Sequence, residues 1–254
     1  MKQGSKVLAA VILSAVAVTA SATPSTTFWT PATTYTQPYL VPHLTYDTYV
    51  AGKGMLQNDY GLTIGFLPFE KLQGEVGFDF FLPGDKIGDN FYLNAKLTLP
   101  EGAFGAYQPG VSLGIQSVGF KKDYSDYDHL HLSVSKGFAG IGTFVVGGYY
   151  GLNKDLYVGS DGEATQAGFM ASYTSPDIKV GLPGLDKIVL AADYASGKNA
   201  FGGYGVGAGF YFTPAIALLT GPVWFNDKDL IKAAYGADFM WTFQLDVDVE
   251  LLKK

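Results

Sequence analysis

Hydrophobic and polar residues alternate along Lys71 to Phe80 (KLQGEVGFDF). Leu72, Val76, Phe78 and Phe80 share one parity; Gln73, Glu75 and Asp79 share the other. A strand sends successive side chains to opposite faces, so this segment has one apolar face and one charged face. The pattern recurs over most of the chain and predicts about twelve strands, at 43–51, 59–67, 71–81, 91–99, 111–120, 127–136, 140–150, 164–174, 187–195, 203–212, 216–225 and 238–248. Each approaches the ~9–11 residues a strand needs to cross a bilayer. One parity is lipid-compatible in several of them: Leu62, Ile64 and Phe66; Leu93, Ala95 and Leu97; Leu130, Leu132 and Val134; Phe239, Trp241, Phe243 and Leu245. Tyr46, Tyr60, Phe91, Tyr127, Tyr149, Tyr173, Tyr194, Tyr204 and Trp224 fall near strand ends, as in the aromatic girdles of a membrane interface. The run 140–150 is apolar on both parities, so its register is weakly specified.

A soluble sandwich has the same alternation with its apolar face turned inward. Repetition along the chain, together with an export signal at its front, favours an all-β fold: a transmembrane antiparallel β-barrel of about twelve strands, an up-and-down meander with lipid outside and a polar lumen inside. Connection lengths agree in part. With the first strand starting in the periplasm, Pro68-Phe69-Glu70, Gly137 to Ala139 and Thr213-Pro214-Ala215 are short inner turns, and 83–90, 152–162 and 226–236 are longer outer loops. The inner connections 100–109 and 175–186 are long and break the trend. Residues 226–236 (NDKDLIKAAYG) predict a short helix with Asn226 as its cap and Gly236 at its end.

Three parts are expected. Residues 1–22 read as a signal peptide, with Lys2 and Lys6, a short apolar run from Val7 to Val18, and Ala20-Ser21-Ala22 as the cleavage site. Residues 23–42 (TPSTTFWTPATTYTQPYLVP) hold four prolines, which argues against a helix or a central strand. This segment is either a periplasmic leader, the first expectation, or a strip docked in the lumen through Phe28, Trp29 and Tyr35. Residues 43–254 form the barrel. The location implied is the outer membrane of a Gram-negative bacterium, after cleavage near Ala22.

Composition narrows the function. The chain has no cysteine, which excludes disulfides and thiolate metal sites. Charged residues make up only 16%, low for a soluble surface. The net charge is −6 and every basic residue besides histidine is lysine. An acidic chain without arginine is a poor nucleic-acid binder and lacks the planar forks that grip phosphates and carboxylates.

The run DYGLTIGFLPFEKLQGEVGFDF, with HLTYDTY before it and NAKLTLPEG after it, resembles porin-like outer-membrane β-barrel proteins of Gram-negative bacteria. The resemblance implies fold and location and no substrate. Such barrels often end on an aromatic residue, whereas this chain ends Leu251-Leu252-Lys253-Lys254, with Phe243 its last aromatic.

The lumen parity carries the candidate pore-lining residues Asp47, Glu75, Asp79, Lys96, His129, His131, Asp193, Gln244 and Asp246, with His43, Thr45, Gln73, Asn94 and Gln116 beside them. Acids outnumber lysines, and an acidic lumen attracts cations. The alternative is a set of structural pairs sealing a narrow barrel, with Lys96 bonded to Glu75 or Asp79. His129 and His131 share a face and can be joined by Asp47 or Asp128, yet the spacing marks no third metal ligand. His131-Leu132-Ser133 is similar to the His-x-Ser pair of outer-membrane phospholipases. There the pair faces lipid; here Leu130, Leu132 and Val134 take that face, and no asparagine follows on the next strand to orient the imidazole. GYGVGAG at 203–209 has no helix after it to bind a dinucleotide, and its alternate glycines instead make a smooth inner face. Asp123, Asp126 and Asp128 read as a solvated loop.

The expected function is a narrow channel for small cationic or neutral solutes. The alternatives are a non-conducting structural or surface-binding barrel and, more distantly, a lipid-active enzyme. No cofactor, metal or nucleic acid is expected. The partners are outer-membrane lipid and small solutes, with the protein a monomer.

Overall fold

The computed structural model describes residues 26–52, 54, 56–82 and 87–249. The signal-peptide and cleavage-site expectations lie outside the described residues, as do residues 23–25. Twelve strands form one closed antiparallel barrel: β1 Pro42–Ala51, β2 Leu56–Gly65, β3 Gln73–Leu82, β4 Phe91–Leu99, β5 Gly110–Val118, β6 His129–Phe138, β7 Gly142–Gly151, β8 Ala167–Thr174, β9 Lys187–Ala195, β10 Gly203–Thr213, β11 Ile216–Phe225 and β12 Phe239–Asp248. Each strand pairs with its neighbour in sequence, and β1 closes on β12 from His43↔Asp248 to Ala51↔Met240. Two short helices sit in the connections, α1 Ile87–Asn90 and α2 Lys228–Tyr235.

Closure matters because an unpaired backbone group in hydrocarbon costs several kcal/mol, and only a barrel without edges leaves none along its strands. The period-2 pattern decides which face meets lipid. Leu93, Leu97, Leu113, Leu132, Val146, Phe169, Leu190, Trp241 and Phe243 all point outward and are exposed. Apolar side chains exposed in strand after strand form the wall of a transmembrane barrel. No helix among the described residues is long and apolar enough to cross a membrane.

Register departs from the simple pattern in β5. Leu93 pairs with Val118 but Ala95 pairs with Ile115, so β5 carries one extra residue there. Ser117 absorbs it at φ 55°, and its N–H donates to Asn94 Oδ1 at 2.9 Å. This bulge re-aims side chains, and both Gln116 and Ser117 line the lumen.

The helix in the β11–β12 connection begins one residue later than expected. Its cap is Asp227, which accepts from Leu230 N at 3.0 Å, and Gly236 ends it in the left-handed conformation at φ 68°. Asn226 instead ties the loop to the wall, donating to the carbonyls of Ala195 and Gly197. The long connections 100–109 and 175–186 lie at the end of the barrel where β1 begins and β12 finishes, here called the terminal end. Each is anchored by an ion pair, Lys136–Glu101 at 2.7 Å and Lys187–Asp177 at 3.0 Å. The Lys136 ammonium, with the Gly137 N–H, holds the Glu101 carboxyl below the usual carboxylate range.

Residues 26–38 run inside the lumen and Tyr39 and Leu40 are exposed at its terminal end, so the first expectation, a leader outside the barrel, gives way to the docked strip. Lacking regular secondary structure, the segment depends on the wall to satisfy its backbone. Its path passes β9, β8, β6, β5, β4, β3 and β2 in turn. Asp193 Oδ2 on β9 accepts the N–H groups of Phe28, Trp29 and Thr30 at 3.0, 2.7 and 2.7 Å. Ser172 on β8 donates to Ala32 O, Ser133 on β6 to Pro31 O, and Ser112 on β5 to Thr33 O. Thr36 donates to Thr98 on β4, Gln37 N donates to Glu75 on β3, and Leu40 N donates to Gly65 O on β2. The Phe28 ring lies on the alternate glycines of β10. A Cβ at Gly205 or Gly207 would stand 2.3 or 2.4 Å from that ring. The smooth glycine face is therefore the floor of an aromatic socket.

Candidate functional site: a lumen cavity

Above the docked segment, toward the opposite or loop end, the lumen holds a cavity of about 540 Å³. Its charged wall comes from β1, β2, β3, β4 and β12. Asp47 and Asp59 stand directly opposite each other on β1 and β2, and Asp79 on β3 faces Gly61. Asn94 Nδ2 donates to Asp79 Oδ2 at 2.5 Å. Asp47 Oδ1 and Asp59 Oδ1 are buried and have no hydrogen-bond partner. Trp29, Tyr49, Tyr92, Phe201 and Phe225 supply aromatic lining, and α2 contributes Leu230, Ile231 and Tyr235 at the loop end. Tyr235 is pinned there by its hydroxyl, which donates to Gln57 Oε1 at 3.0 Å.

Closer to the terminal end the charges are paired. Lys96 Nζ lies 3.0 Å from Glu75 Oε1, both side chains nearly fully buried, so Glu75 is the partner that the pairing alternative asked for. His43 Nδ1 meets Asp248 at 2.8 Å and His43 Nε2 meets Asp246 at 3.2 Å. His43 thus bridges the two carboxyl groups. Gln37 Nε2 joins the cluster by donating to Asp248 Oδ1 at 2.9 Å.

Of the nine residues expected to line a pore, Asp47, Glu75, Asp79, Lys96, His131, Gln244 and Asp246 border the cavity. His129 and Asp193 do not. His129 is covered by the loops: it bonds Tyr157 Oη through Nδ1 at 2.9 Å and stacks on Phe201 and Tyr149 at 4.4 and 4.8 Å. Asp193 is spent on the three N–H groups of the docked segment. Ser133 is fully buried on the lumen side while Leu132 faces outward, so the His131–Ser133 pair does not meet lipid. Among the described residues no group of three His, Asp or Glu is arranged to hold a metal ion.

Three lining residues escaped sequence reasoning. Asp59 has the inward parity of β2, but alternation alone starts that strand at residue 59, whereas it begins at Leu56. Asn90, at the end of α1, belongs to no strand and leaves no periodic signal. Trp29 was marked only as a possible docking contact. Its indole N–H donates to Phe201 O at 3.1 Å, and its ring meets Phe225 and Tyr49 edge-on.

No family model matches the chain, and no curated relative matches its sequence. Solved structures do share its architecture. An outer-membrane channel from Pseudomonas putida F1 is 10% identical, with a TM-score of 0.48 over 85% of this chain and 97% of that one. The NanC porin is 8% identical, with a TM-score of 0.47 over 82% and 100%. Outer membrane phospholipase A from Escherichia coli is 13% identical, with a TM-score of 0.46 over 85% and 91%. These likenesses concern the barrel alone.

Proposed function

We propose that this protein resides in an outer membrane as a monomeric barrel that admits small cationic or neutral solutes from the loop end into its lumen and passes them slowly. The observation that carries this reading is the cavity wall of Asp47, Asp59 and Asp79, which no ion pair neutralises among the described residues. Carboxylates facing a confined lumen concentrate cations and repel anions. The paired charges and the segment 26–41 narrow the terminal end, so conductance is small.

A second reading, a closed cup that binds a solute without passing it, is favoured by one observation: the same segment makes bonds to eight wall strands. Planar-bilayer conductance across a salt gradient separates the two. Discrete openings with a cation-favouring reversal potential support the passage. A folded but silent barrel leaves the cup, and an anion-favouring potential sinks both.

A further inference from the structure

The geometry points to an organic ammonium ion that also carries a hydrogen-bond acceptor as the occupant of this cavity; the assignment deepens the solute reading above and rests on it. Asp47 and Asp59 are a directly opposed cross-strand pair, an arrangement in which like charges repel. Asp79 adds a third carboxylate. Together with Thr45, whose hydroxyl lies nearest, it fills the space that the absent side chain of Gly61 leaves, where a Cβ would stand 2.8 Å from Asp79 Oδ1. The chain contains no arginine, and Lys96 on the neighbouring strand is bonded to Glu75. A cationic solute entering the cavity therefore meets three carboxyl groups on adjacent strands.

A second observation is independent of the acids. Asn90 lines the same cavity, is only 8% exposed, and its Nδ2 donates to nothing. A buried amide donor without a partner is costly, and an acceptor oxygen on the ligand satisfies it. The carboxylates do not converge as metal ligands do. The lining is aromatic instead, with Trp29 packed at 5.2 Å from Phe225 and 6.0 Å from Tyr49. Aromatic faces attract ammonium groups, and apolar lining suits their carbon substituents.

The test is titration of choline chloride into the full-length barrel in detergent, read by tryptophan fluorescence and calorimetry. Trp29 borders the cavity while Trp224 and Trp241 do not. Saturable binding is expected, with a fluorescence change that disappears in Trp29→Phe. Asp47→Asn and Asp59→Asn should each weaken binding roughly tenfold or more, the cost of removing one partner of a buried charge pair. Neither should lower thermal stability, because each relieves repulsion. Tetraethylammonium binding as tightly as choline overturns the proposed acceptor, and absence of choline binding to the folded barrel overturns the proposal. So does unchanged affinity in both variants, or displacement of choline by calcium at lower concentration. Choline binding without conductance supports the site and removes only the passage. Cation conductance with no binding of either probe removes the occupant and leaves the passage standing.

Discussion

From β12 through β1 to β6 the inner wall carries Asp246, His43, Asp47, Asp59, Glu75, Asp79, Lys96 and His131. From β7 to β11 it carries Val145, Met170, Val189, Ala217, Leu219 and Val223, with Asp193 in mid-wall and Lys187 at the rim. The two halves solve the same problem differently. A lumen of about twelve strands is too wide for wall side chains alone to fill. Phe28 of the chain's own segment fills the glycine socket of the apolar half, and the segment then continues along β6 to β2 at the terminal end. The charged half stays open around Asp47, Asp59 and Asp79 toward the loop end and is closed at the terminal end by paired charges and by the same segment. The comparison teaches that the two halves are closed by different chemistry, a seated aromatic ring in one and paired charges in the other.

Removing residues 26–41 erases the contrast most completely. Conductance should rise several-fold and resistance to heat should fall, as read in planar bilayers and by thermal melts in detergent. Unchanged conductance would show that the segment does not obstruct the lumen. Phe28→Ala attacks the apolar half alone and should cost ~3–5 kcal/mol, as large-to-small changes at buried aromatics do. Chemical unfolding of the refolded barrel measures it. Gly207→Leu should unseat the same ring from the opposite side, because its Cβ meets both the ring and Thr220 O.

The charged half is broken by Lys96→Met. Glu75 is then left buried without its ammonium, at a cost of about 3 kcal/mol, and adding Glu75→Gln should recover much of the loss. A double-mutant cycle reads the coupling.

The smallest effect lies outside the wall. Burial pushes the Asp227 carboxyl up, but the N–H groups of Ser160 and Leu230 outweigh it and leave it below the usual carboxylate range. A lowered folded pKa means the cap contributes fully at neutral pH. That contribution is lost as pH falls through the depressed value. Protection factors in 226–238, taken relative to the intrinsic exchange rate at each pH, should therefore fall in acid, and Asp227→Ala should cost ~1 kcal/mol at neutral pH, as lost caps do. Equal protection in wild type and variant at neutral pH would remove this role.

The strands were legible because period-2 alternation is local: 91–99, 187–195 and 216–225 match the observed β4, β9 and β11. Parity also indicated the inward direction of Asp47, Glu75, Asp79 and Gln244 without any contact being known. Long-range geometry was not legible. Nothing near His129 in sequence announces that Tyr157 and Phe201 will cover it. Nothing in TPSTTFWTPATT names Asp193, more than 160 residues away, as the acceptor of its amides. The bulge at Ser117 was missed because a single inserted residue leaves the flanking alternation intact.

The socket for Phe28 has a kinetic consequence. Its floor is β10, the carboxylate that holds its amide is on β9, and Gln244 on β12 donates to its carbonyl. None of these partners exists until the last third of the chain has paired, and contacts so distant in sequence form late. The segment that precedes β1 is thus among the last to settle. Until then it must remain unpaired without clumping, and residues 23–42 hold no charge to help them, only threonines and prolines. Its seating marks the moment at which the wall has closed, so the burial of Trp29 is a clock for assembly.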